Sequence, residues 1–142
     1  GNQMLNKKSL DDIRYILDDP TVDILTKNRV ALSASKTRDN RILESLHRLI
    51  VMENNVNCRG TFVYCLLEFP GALSFDLAVD LLISGNFEVA HHAFEIIDSI
   101  DEPLSGGRVV KAYKKLTNFI AHNQDIVDWR KSLINDAVDM FT

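Results

Sequence analysis

The side chains most able to do chemistry in this sequence are His91, His92 and Glu95, which fall together in Ala-His-His-Ala-Phe-Glu. On a helix, His91 and Glu95 stand at i and i+4 and could offer two ligands to a metal ion. A stable site needs a third and usually a fourth donor, and no His-Glu-x-x-His pattern or second cluster supplies them. The acidic pairs Asp18-Asp19 and Asp101-Glu102 sit beside turns, where capping of helix ends accounts for them. Ser105-Gly-Gly-Arg108 lacks the spacing of a phosphate-binding loop and does not follow a strand. No Gly-x-Ser-x-Gly elbow or Cys-His signature is present. Cys58 and Cys65, seven residues apart on one helix, would be separated by roughly 10 Å, too far for a disulfide. They are expected to be reduced, buried thiols. These observations point to a protein that is not an enzyme and holds no metal or cofactor.

The elements that carry these residues are helical throughout. Leu10, Ile13, Ile16 and Leu17 recur at helical spacing after a start at Ser9, and Pro20 stops the run. Residues 21–35 are less regular but helical in character. A clear stripe follows in Ile42, Leu43, Leu46, Leu49 and Ile50. Asn57 is expected to restart a helix that ends at Pro70-Gly71. Ser74 opens the next, and Gly85 closes it. Asn86 then caps a helix carried on through the stretch 84–102. Pro103 and Gly106-Gly107 separate off 108–122, and a last helix runs from Asp125 to Met140. No segment alternates with period two. The fold class is all-α, with about seven or eight helices.

A degenerate repeat refines that reading. Val63-Tyr-Cys-Leu-Leu-Glu68 superimposes on Ala93-Phe-Glu-Ile-Ile-Asp98 with an offset of 30, and Asp98 aligns again with Asn135 at an offset of 37. Helix pairs recurring at this length predict a HEAT-like α-solenoid of antiparallel hairpins, with a compact bundle as the alternative. At 142 residues the chain is expected to be a single domain. Gly1 is not a translation start, so residues 1–3 are expected to be a remnant ahead of Met4. The absence of a signal-peptide pattern and of any long apolar run leads to the expectation of a cytoplasmic protein without membrane association.

Charge is where the sequence becomes specific. The net charge of −4 hides a segregation: residues 60–107 contain no Lys or Arg but eight acids, Glu68, Asp76, Asp80, Glu88, Glu95, Asp98, Asp101 and Glu102. Such a block repels phosphate backbones and attracts basic proteins. Glu88, His91, Glu95, Asp98 and Glu102 alternate by threes and fours on one helix face, opposite Ala90, Ala93, Phe94, Ile97 and Ile100. The repeat offsets extend this stripe to Glu68 upstream and to Asp128, Ser132, Asn135 and Asp139 downstream. Every soluble helix has a charged face, but like charges at i,i+4 repel by a few tenths of a kcal/mol, roughly, unless something neutralises them. Glu68, Glu88, His91, Glu95, Asp98, Glu102, Asp128 and Asp139 are therefore the expected partner-binding residues. The partner expected is a basic protein rather than a nucleic acid. Trp129 and Tyr64 are either core residues or anchors of that interface.

Arg59-Gly-Thr-Phe-Val-Tyr-Cys-Leu-Leu-Glu-Phe and Leu82-Ile-Ser-Gly-Asn-Phe-Glu-Val-Ala-His-His-Ala together resemble hairpin segments of HEAT-like immunity proteins from bacterial polymorphic-toxin and contact-dependent growth inhibition systems. The resemblance covers about residues 40–105, with a loose continuation to the C-terminus, and does not reach the first 35. It implies a small cytoplasmic protein that binds one cognate toxin domain, often a nuclease, and blocks it. An acidic concave face would then stand in for the phosphates of the toxin's substrate. A HEAT-like scaffold or adaptor without a toxin partner is the other reading.

Overall fold

A computed structural model describes residues 5–142. The expected remnant at residues 1–3 lies outside them. The described residues form eight α-helices joined by loops and three short 3-10 turns, with no strand. They divide into two compact units, residues 5–69 and 70–142.

The first unit holds α1 (Lys7–Asp18), α2 (Ile24–Ser35), α3 (Asn40–Val51) and α4 (Gly60–Cys65). The helix start expected at Ser9 falls earlier: the Asn6 side chain accepts from the Ser9 backbone N–H at 2.9 Å, so Ser9 lies inside the first turn. Asn caps as well as Ser because its oxygen reaches the same unpaired donors. Asp23 and Asp39 cap α2 and α3 in the same way. Between α2 and α3 the chain turns through Arg38, at φ 57°, a left-handed conformation that is costly for a side chain bearing Cβ. The helix expected over 57–69 is broken. α4 is only six residues long, and Leu66–Glu68 tightens into a 3-10 turn. Pro70 forces Phe69 into extended backbone (φ −115°, ψ 161°), which ends the helical run there.

α2 packs against α1, α3 and α4. It presents the small residues Ala31, Ala34 and Ser35, all buried, so three neighbours can approach one helix. Around it close Leu17, Ile42, Leu46, Leu49, Phe62 and Leu66. Each such side chain contributes roughly 1.5–3 kcal/mol when fully removed from water. Cys65 is buried and Cys58 half-buried, and both thiols are free. Burial pushes the Cys65 thiol up from its ordinary value.

The second unit holds α5 (Phe75–Ser84), α6 (Phe87–Asp98), α7 (Gly106–His122) and α8 (Asp128–Met140). α5 and α6 form a hairpin with only Gly85 and Asn86 between them. Gly85 is required by space rather than by backbone angle: a Cβ there would lie 2.6 Å from Val89 Cγ1 and 2.7 Å from the Leu81 carbonyl. Asn86 then accepts from Val89 N at 2.9 Å and starts α6, as expected. The Ser74 cap predicted for α5 is absent; its side chain makes no capping bond to that helix. Gly106 and Gly107 do not separate helices but form the first turn of α7, behind the Ser105 cap. α5 packs against the other three helices, and α8 also packs against α6 and α7. Phe75, Ala78, Leu82, Ala93, Ile96 and Ile134 fill the interior.

Candidate functional site

α6 is amphipathic, and its buried side is Val89, Ala90, Ala93, Ile96 and Ile97. Phe94, placed in the apolar stripe by sequence, is only half-buried. Glu88, Glu95 and Asp98 are exposed, with His91 half-exposed among them. The helix ends at Asp98, so Glu102 does not share its face and lies exposed in the α6–α7 connection. The i,i+4 repulsion expected between Asp98 and Glu102 on one helix therefore does not apply.

The electrostatics differ from the sequence reading in a second way. Three of the eight acids in the base-free window meet a base from outside it: Glu68 with Arg38 at 3.8 Å, Asp76 with Arg108 at 3.6 Å, and Asp80 with Lys115. Glu88 and Glu95 flank His92 at 3.5 and 3.7 Å, contacts that become ion pairs when the imidazole is protonated. Like charges that look uncompensated along the chain are thus partly answered in space. Asp98, Asp101 and Glu102 have no ion pair among the described residues. Asp98 is the last residue of α6 and Glu95 lies three positions before it, so both stand in the last turn, which carries no base. The negative end of a helix dipole disfavours carboxylates there, by about 0.3–1 kcal/mol each at exposed positions.

His92, not His91, stands between the glutamates. His91 bonds through Nδ1 to the Phe87 carbonyl at 2.6 Å and packs its ring on Phe87, centroids 4.0 Å apart. Trp129, from the start of α8, meets Phe87 edge-on at 5.2 Å and His91 at 5.7 Å. Arg130 stacks on Trp129, its guanidinium carbon 4.6 Å from the ring centroid. Its two terminal nitrogens donate to the carbonyls of Leu82 and Gly85 at 2.8 and 2.7 Å, closing the C-terminal end of α5. Phe87 remains 58% exposed at the centre of this cluster. Sequence reasoning left Trp129 between core and interface and missed Phe87. An aromatic residue directly after a helix cap, off the apolar stripe, was the available signal.

Of the remaining predicted residues, Asp128 and Asp139 are exposed on one face of α8, eleven positions apart. Glu68 belongs to the first unit, in the 3-10 turn after α4, bound to Arg38. Tyr64, the other anchor candidate, is half exposed. Among the described residues no three His, Cys, Asp or Glu side chains are grouped to hold a metal ion, and no helix is long and apolar enough to cross a membrane.

On α6 and α8, exposed carboxylates share the helices that carry the aromatic cluster of Phe87, His91 and Trp129. No protein-family profile, curated protein or solved structure matches this chain.

Proposed function

We propose that this protein is a binding protein that works by occlusion, an immunity protein whose partner is a basic toxin domain of the nuclease class. The exposed face of α6 is its recognition surface, with Glu88, Glu95 and Asp98 as the charged residues and Phe87, His91 and Trp129 as the anchor. The observation that carries this reading is the placement of Glu95 and Asp98 in the last turn of α6. Carboxylates there work against the helix they sit on, which makes sense where they serve a partner. Aromatic residues fixed by packing make good interface anchors because little side-chain entropy is lost on binding. Acids around them speed capture of a cationic partner and disfavour anionic ones. The HEAT-like character is part of the same proposal, with α5–α6 and α7–α8 as two of its hairpins, and so is a place in the cytoplasm beside the toxin's target.

The test begins with co-purification of the protein with products of neighbouring genes, followed by growth protection against the captured protein. The triple variant Glu95→Lys/Asp98→Lys/Glu102→Lys should lose at least about 100-fold in affinity and all protection, while its helical circular dichroism stays unchanged. Full protection by that folded variant would refute the acidic-surface mechanism. A captured partner without toxicity would favour an adaptor instead.

A further inference from the structure

A cavity of about 510 Å3 opens in the second unit beside the end of α6. Its walls include Ile97 and Ile100 from the end of α6 and just beyond it, Leu104 from the following connection, and Val109 and Phe141. Two carboxylates, Asp98 and Glu102, complete the lining, which includes no Lys, Arg or His. The nearest base in sequence, Arg108, is engaged elsewhere: it donates to the Ala72 carbonyl at 2.8 Å, pairs with Asp76, and lies 5.4 Å over the Phe75 ring. Among the described residues neither Asp98 nor Glu102 has an ion pair, and the volume is in the range of sites that hold a small ligand or one inserted side chain.

An apolar wall with unpaired carboxylates selects its occupant by two criteria at once. A purely apolar group would leave the carboxylates without a partner, and a bare cation would leave the apolar wall in water. A long basic side chain satisfies both, because its methylene stem covers apolar surface while its charged head stays at the polar edge. We propose that this cavity receives a lysine or arginine side chain of the partner polypeptide, stem against Ile97, Ile100 and Leu104, head between Asp98 and Glu102. This rests on the proposed binding function and assigns Asp98 and Glu102 a task separate from that of Glu88 and Glu95.

The probe is the peptide Ac-Gly-Lys-Gly-NH2, titrated into the full chain while the methyl NMR signals of Ile97, Ile100, Leu104 and Val109 are followed. Saturable shifts confined to these methyls are expected. Affinity should fall at least tenfold for the norleucine peptide, which keeps the stem without the charge, and at least tenfold in Asp98→Asn/Glu102→Gln. No saturable shift, equal binding of the norleucine peptide, or unchanged binding in the double variant would each overturn the assignment. So would tighter binding of free spermidine than of the lysine peptide, since the ligand would then be a polyamine rather than a polypeptide. The readout needs no partner, so its failure leaves the proposed recognition by α6 standing. Conversely, Glu88→Lys/Glu95→Lys should weaken capture of the partner and leave peptide binding at the cavity unchanged.

Discussion

Asp39 and Asp98 are both acids at helix ends, one in each unit, and they are used in opposite ways. Asp39 is fully buried at the start of α3. Its carboxylate accepts from Arg41 Nε at 3.0 Å and from a terminal nitrogen of the same guanidinium at 2.6 Å, and from the backbone N–H groups of Arg41 and Leu5 at 2.9 and 3.3 Å. The positive end of a helix dipole favours it there. Asp98 ends α6, exposed, unpaired, and at the pole that disfavours it. Asp39 is satisfied within the fold, whereas Asp98 is left facing water. Two arginines differ in how fully the fold satisfies them. Arg130 satisfies two carbonyls at the end of α5, while Arg59 is buried with one bond, at 3.1 Å to the Ile50 carbonyl, and its Nε has no partner.

The contrast predicts stability changes of different size and sign. Asp39→Ala should cost most, about 2–3 kcal/mol by urea denaturation, from the lost cap and the lost charged hydrogen bonds. The Arg41 side of that interaction is partly solvated, which keeps the loss from being larger. A loss below about 0.5 kcal/mol would show that Asp39 is not the structural acid of the pair. The same group sets an acid dependence. The Arg41 guanidinium, bonded to it, holds the carboxyl below its usual 3.8, at about 2 in the folded protein. The folded value is the depressed one, so the stabilisation is present above about pH 4 and is lost as pH falls towards 2. Asp39→Asn should flatten that part of an acid-unfolding curve.

Next in size, Arg130→Ala should cost about 2 kcal/mol, because two carbonyls lose charge-assisted donors. Arg59→Met should cost less than about 1 kcal/mol, since the desolvation of a buried, under-bonded guanidinium is relieved along with its one bond lost. Thermal melts of the two variants side by side check the ordering. Smallest and opposite in sign, Asp98→Asn should stabilise the protein by about 0.3–1 kcal/mol, read as a small rise in melting temperature. A fall instead would show that the carboxylate is used by the fold after all and would weaken its assignment to a partner.

Much of this protein was legible from local signals. The all-helical class, the Asn86 cap of α6, and the exposed side of Glu88, Glu95 and Asp98 all follow from spacing and side-chain chemistry within one or two turns. Local signals misled where two of them competed. Ser9 and Asn6 both suit a cap, and Asn6 holds the position. Gly106-Gly107 read as a separator, although Ser105 ahead of them supplies a cap.

Sequence by itself therefore placed Glu88, Glu95 and Asp98 on the water-facing side of α6, because a helix has a fixed angular period. Only the tertiary structure decided which acids of the base-free window, residues 60–107, meet a base. Arg38 reaches Glu68, Arg108 reaches Asp76 and Lys115 reaches Asp80 across 30, 32 and 35 positions, as the differences of their numbers give. It also brought Trp129 to Phe87 and His91, and Phe141 to the cavity beside Asp98 and Glu102. The physical reason is range: capping and periodicity act within a few residues along the chain, whereas Coulomb attraction and ring packing depend on distance in space, which the helix packing sets.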